Sequence, residues 1–356
     1  MPRPSGVALA IVVAVGAVGA IGVSAALQQA APPAGATARA VAAADAFLAT
    51  LDEGQRRRAN LDFNEKTRVV WSNLPSGIKM QVGATERNGL KLADMTPAQE
   101  KAALALLAVA LSREGYQKAM EIVDADQLLE TRSAPTRKPG APIRFGRGEY
   151  YVSILGKPSS TERWMMQFGG HHLAINVTMA GTERVLAPTH TGAQPSSYSV
   201  DGKLIRPLGD ENDRAFELVN ALSADQQKQA VLGHEVRDLV LGPGTDGQTI
   251  APEGVRASGF TPAQRKILIA LVREWVGILE DQAAAAKMKE IEAGLADTYF
   301  AWAGPMTSGK GAYFRVQGPS VFIEYAPQGA GENNIDHIHT IYREPANDYA
   351  AKAARP

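Results

Sequence analysis

Two stretches of this chain present the same local signals in the same order, and such self-similarity bounds the architecture before any single motif is weighed. Thr96-Pro97-Ala98-Gln99 recurs as Thr261-Pro262-Ala263-Gln264. Each copy predicts a helix start: Thr caps, Pro sits at the first helical position, and Gln reaches back from the third. Upstream, Phe47…Leu51-Asp52-x-x-Gln55 resembles Phe216…Leu222-Ser223-x-x-Gln226, again a capped helix. Downstream, at one constant offset, Tyr151–Gly156 matches Tyr299–Gly304, and Gly170-x-x-Leu173-Ala174-Ile175-Asn176-Val177 matches Gly318-x-x-Val321-Phe322-Ile323-Glu324-Tyr325. These segments are β-branched and aromatic with Gly and Pro at their ends, and they read as strands. The expected fold class is α+β: two similar halves, helices followed by strands, packed as a pseudo-twofold duplication. The halves are expected at 37–195 and 214–349, with the polar stretch Ser196–Asp213 between them and a tail at 350–356.

Residues 1–30 predict an export signal. Arg3 and the amino terminus are positive, an apolar stretch runs from Val7 to Val23, and Val23-Ser24-Ala25 offers a small-residue cleavage site. The stretch is at the short end for a membrane span, so an uncleaved N-terminal anchor is the other reading. Either way the mature chain is expected outside the cytoplasm, periplasmic or secreted, touching membrane only through that segment. The absence of cysteine excludes disulfides, thiolate metal sites and cysteine nucleophiles. With 37 Lys plus Arg against 37 Asp plus Glu, the chain lacks the net positive charge that nucleic-acid binding draws on. Any metal must be held by histidine and carboxylate.

Six histidines are present: His171, His172, His190, His234, His337 and His339. Residues two apart on a strand share a face, so His337 and His339 can approach one ion. Glu324 lies on the preceding predicted strand, opposite in parity to the core-facing Val321, Ile323 and Tyr325. Two histidines and a carboxylate converging from adjacent strands suit zinc or non-haem iron with open positions. By the same parity His172 shares a face with Ala174 and Asn176, the latter being the counterpart of Glu324. His172 is therefore expected as a fourth ligand or an acid/base group, and a bulge at Gly169-Gly170 would bring in His171 instead. His190 corresponds to His339 if one gap is allowed, and His234 is expected to border a helix. Arg315 and Arg343 flank these segments; a guanidinium there could clamp a carboxylate or phosphate, and the equal alternative is a surface arginine paired with Glu344 or Asp348. Gly304–Gly311 imitates a phosphate-binding loop but has Gly311 where Ser or Thr is required, and a strand follows it.

Gly170-His171-His172-Leu173, Tyr313-Phe314-Arg315-x-x-Gly318-Pro319, Ile323-Glu324-Tyr325, His337-Ile338-His339-x-x-Tyr342-Arg343 and Asn347-Asp348-Tyr349 occur in that order. Together with the Thr-Pro-Ala-Gln helices they resemble the bacterial family catalogued as domain of unknown function 3500, from about Phe47 to Tyr349. The family pattern often has Gly after Asn-Asp-Tyr, where this chain has Ala350. The resemblance implies exported relatives and carries no activity or ligand set with it.

Three functions are compatible with these residues. The first is an exported metal-dependent enzyme, a hydrolase acting on a small-molecule substrate, anionic if the arginines engage it. Its divalent ion, zinc in preference to iron, manganese or copper, would be held by His172, Glu324, His337 and His339 where the halves meet. Catalysis would draw on His172, Arg315 and Arg343. The second is a non-catalytic metal- or anion-binding protein, and the third a structural or interaction protein whose histidines are core hydrogen-bonders; within the first, the same ligands would also suit a mononuclear metal oxidoreductase.

Overall fold

The computed structural model describes residues 35–329 and 334–353. The expected export segment, 1–30, and the last residues of the expected tail lie outside them. Among the described residues no helix is long and apolar enough to cross a membrane.

Cap chemistry sets where the helices begin. The first group is α1 (Ala36–Ala49), α2 (Glu53–Ala59), α3 (Pro97–Ala110) and α4 (Arg113–Ser133). The second is α5 (Gly209–Ala221), α6 (Ala224–Ala230), α7 (Pro262–Val276) and α8 (Asp281–Ala293). Thr96 and Thr261 accept from the N–H groups of Gln99 and Gln264, whose side chains accept from the cap N–H groups in return. Asp52 with Gln55 and Ser223 with Gln226 cap α2 and α6 in the same way. The four glutamines then meet in pairs, Gln99 Nε2 donating to Gln55 Oε1 at 2.7 Å and Gln264 Nε2 to Gln226 Oε1 at 2.8 Å. One residue type thus starts four helices and ties their starts together in pairs.

Eight longer strands follow: β1 (Tyr151–Leu155), β2 (Arg163–Gly170), β3 (Leu173–Ala180), β4 (Thr189–Ala193), β5 (Tyr299–Ala303), β6 (Tyr313–Gln317), β7 (Phe322–Pro327) and β8 (Ile338–Arg343). They lie side by side, all antiparallel, in the order β1-β2-β3-β4-β8-β7-β6-β5. Short strands extend both edges, Asn60–Leu61 and Leu90–Lys91 beside β1 and Val255–Arg256 beside β5. Gly89 (φ +99°) and Gly254 (φ +96°) precede the latter two; a Cβ on either would strike the carbonyl of Val152 or Phe300 on the adjoining strand. The first four strands meet the last four along β4 and β8, where Thr191 faces Thr340 and their hydroxyls bond at 2.7 Å. The segment Ser196–Asp213, expected as a plain break, instead carries a hairpin, Tyr198–Val200 with Lys203–Ile205, and the first turns of α5.

Alternation along the strands gives the sheet two unlike faces. Val152, Ile154, Phe168, Ile175, Val177, Phe300, Trp302, Phe314, Ile323 and Tyr325 join Leu106, Leu107, Ile122, Leu268, Leu271 and Trp275 of the helices in the main core. Each large side chain buried there contributes about 1.5–3 kcal/mol. The other face carries Ser153, Gln167, Asn176, His190, Arg315, Glu324, His339 and Arg343, all buried. Loops 62–88 and 233–254 cover it and satisfy much of its polarity: Gln167 Nε2 donates to the Arg68 carbonyl, and Gln317 Nε2 to that of Ile250. A buried polar face must be paired in this way or it costs stability. Trp71, Ala174, Leu241, Phe322 and Ile341 form a small apolar cluster beneath those loops.

Candidate metal centre

The site lies on the polar face, where β8 emerges beside the turn joining β2 to β3. His171 and His172 are not in a strand, as expected from sequence, but are the two residues of that turn, closed by the Gly170–Leu173 pair. A Cβ on Gly170 would meet the Tyr150 ring at 2.8 Å. His172 adopts a left-handed backbone, φ +62°, which costs a non-glycine residue about 1–2 kcal/mol. Its N–H donates to the Asn73 carbonyl at 3.1 Å, and Arg87 Nη2 donates to the carbonyls of Ser72 and Gly170, so a cross-chain bond set holds the strained turn. Strain kept at a polar cluster points to a functional geometry.

Three imidazoles converge there. His172 Nε2 lies 2.7 Å from His337 Nε2, which lies 3.1 Å from His339 Nε2. One ligating atom from each of the three falls within 4.8 Å of the others, so these histidines can hold a metal ion. Two nitrogens bound to one zinc at about 2.0–2.1 Å stand roughly 3.4 Å apart at the tetrahedral angle, so small ring rotations reach that geometry. Burial, reinforced by the neighbouring imidazoles, holds His172 well below the ordinary histidine range and His337 down to about 4. Both are neutral at neutral pH, the state a metal ligand needs.

Outer residues fix these rings. Asp238 Oδ1 stands 3.2 Å from His339 Nδ1, the carboxylate–histidine arrangement that leaves the other nitrogen for a metal. Hydrogen bonds and charge from His339, with the Leu239 N–H and Gln328, push the Asp238 carboxyl down to about 2 against the opposing effect of burial. Asn73 Nδ2 is 3.4 Å from either nitrogen of His339. His171 stacks on His172 with ring centroids 3.6 Å apart, its Nδ1 held 2.6 Å from Asp126 Oδ1 of α4. Asp126 Oδ2 accepts from the Gly146 N–H.

Glu324 is not part of this group. It shares the face of His339, but the register puts Ala326 opposite His339 and Glu324 opposite Ile341, a step of about 7 Å along the strand. Its carboxylate is already engaged: Oε1 accepts from Tyr313 Oη (2.6 Å) and the Val240 N–H (2.9 Å), and Oε2 from the Leu241 N–H (2.8 Å). Arg315, next to it on β6, donates to Glu253. Arg343 donates to the carbonyls of Leu241 and Gly242 and pairs with Asp348 and Asp246, at the edge of a cavity of about 470 Å³. Glu324 and Arg343 thus grip the loop that carries Asp238. Asp238, Asn73 and Asp126 come from two loops and a helix, with no local signal in the sequence to mark them. His234 follows α6 and is exposed.

The chain belongs to the family described as "Protein of unknown function (DUF3500)", whose model matches residues 34–351. No curated protein and no solved structure matches it.

Proposed function

We propose that this member of the family is an exported, metal-dependent hydrolase whose ion is held by His172, His337 and His339. The observation that carries the reading is the meeting of three Nε2 atoms, from the buried His172 and His339 and the half-buried His337, with His339 oriented from behind by Asp238. Three protein ligands is the ligand count of catalytic zinc, and an ion held by His172, His337 and His339 would supply a nucleophile at neutral pH for an ester, amide or phosphoester. An all-imidazole set suits zinc, and also copper, better than manganese. Without Glu324 the two-histidine–carboxylate pattern of non-haem iron is lost, which favours hydrolytic over oxidative chemistry on iron. His171, set by Asp126 and stacked on His172, is the histidine beside the triad that would serve as a proton-transfer group. The signal-like residues 1–30 support export.

The test is turnover of a panel of activated esters, amides and phosphoesters by the mature chain. Hydrolysis should be abolished by a chelator, restored by zinc, and absent from His172→Ala. Turnover that survives the chelator and His172→Ala would refute the reading.

A further inference from the structure

Among the described residues, His190 is the histidine of the cluster whose ring finds no hydrogen-bond partner. It sits on β4 between Ala174 of β3 and Ile341 of β8, fully buried, and neither ring nitrogen is bonded by a described residue. Leaving such a group unpaired costs about 1–3 kcal/mol, and buried polar atoms left alone in this way ask for a ligand or a water. Its ring meets that of His339 edge-on, centroids 5.2 Å apart. Gly192, two residues on and facing His339 across β8, separates it from the site. A Cβ at Gly192 would lie 2.7 Å from the Ile338 carbonyl oxygen and 3.2 Å from both His190 Nε2 and His172 Cδ2, so only glycine lets those two imidazoles close on one point. His190 Nε2 and the His172 ring edge therefore approach the same point above Gly192, where a polar oxygen could bond to His190 and to the Ile338 carbonyl.

We infer that His190 Nε2 hydrogen-bonds the exogenous ligand of the metal, a water or hydroxide in the resting protein and an anionic oxygen or nitrogen when a small anion takes its place. The inference rests on the metal reading above and gives the site a fixed recognition element for anions, the role that Arg315 and Arg343 do not fill. His190 acts through the bound ligand and does not complete the coordination shell. Without a hydrogen-bond partner among the described residues, its ring gives the fold packing and no polar tie.

The experiment uses cobalt(II) as the loaded metal and azide as the probe, followed through the visible spectrum of cobalt. His190→Leu should load cobalt to the wild-type level, and its metal-free form should melt no lower than wild type, because two unpaired buried nitrogens are removed. Its azide affinity should fall about tenfold, the weight of one hydrogen bond. His190→Gln, which keeps an N–H near the Nε2 position, should stay within about threefold of wild type. Unchanged azide affinity in His190→Leu, with cobalt bound, would overturn the inference and leave the metal reading standing. Loss of cobalt from His190→Leu would also overturn it, making His190 a ligand. If the wild type binds no cobalt, the metal reading fails and takes this inference with it.

Discussion

Replacing Glu324 with glutamine separates a carboxylate that holds a loop from one that holds an ion. The carboxylate accepts three hydrogen bonds, from Tyr313 Oη at 2.6 Å and from the N–H groups of Val240 and Leu241 at 2.9 and 2.8 Å. Glutamine keeps one oxygen and turns an NH₂ toward a donor, so at least one buried donor loses its acceptor, at about 1–3 kcal/mol. The surviving bonds lose their charge assistance, but glutamine also escapes the burial penalty that raises the Glu324 carboxyl, and the two offset. The total is about 1–3 kcal/mol, or a melting temperature lower by roughly 2–5 °C in a chain of this size. The assay pairs a thermal melt with metal content after zinc loading at pH 7. Glu324→Gln should retain wild-type metal content while melting early. A variant that melts like wild type but has lost its metal would refute this reasoning and make Glu324 a ligand.

Three further outcomes follow from the same geometry. Asp238→Asn should weaken zinc binding about tenfold in a chelator competition, the low end of the 10–100-fold range for such outer partners, because the Asp238 side chain is 57% exposed; affinity within twofold of wild type would show that Asp238 does not orient His339. Burial raises the Glu324 carboxyl above its ordinary value despite the opposing N–H, hydroxyl and arginine neighbours. The folded chain therefore holds that proton more tightly than the unfolded chain. Its contribution to stability is full below the ordinary carboxylate range, declines as pH rises from there toward the raised folded value, and is flat beyond it; in denaturant titrations against pH, Glu324→Gln should lack that decline. Ala350 sits at φ +54°, where the family pattern often has glycine, so Ala350→Gly should stabilise the chain by about 0.5–1 kcal/mol, the left-handed strain relieved less the entropy cost of glycine. An unchanged or lower denaturation midpoint would contradict that.

What could be read from the sequence was what depends on neighbours in the chain. The Thr–Gln and Ser–Gln caps are complete within four residues, and each begins its helix where the pattern put it. His337 and His339 came from the two-residue period of a strand, and parity put Glu324 on their face. Parity gives the face, however, and not the register; the pairing of β7 with β8 decides that Ala326 and not Glu324 lies opposite His339. His172 reached the site by a route that parity does not describe, a left-handed turn held by Asn73 and Arg87. Asp126 and Asp238 are 45 and 101 residues from the histidines they touch. Only the folded sheet, with its loops laid over the polar face, brings them there.

The central claim is that His172, His337 and His339 bind one metal ion. It is tested most directly by elemental analysis of the purified, tag-free mature protein beside a His337→Ala/His339→Ala double variant whose fold is verified by circular dichroism. The expected result is close to one metal ion per wild-type chain and none in the folded variant. No metal in the wild type, even after incubation with zinc and copper, would contradict the account.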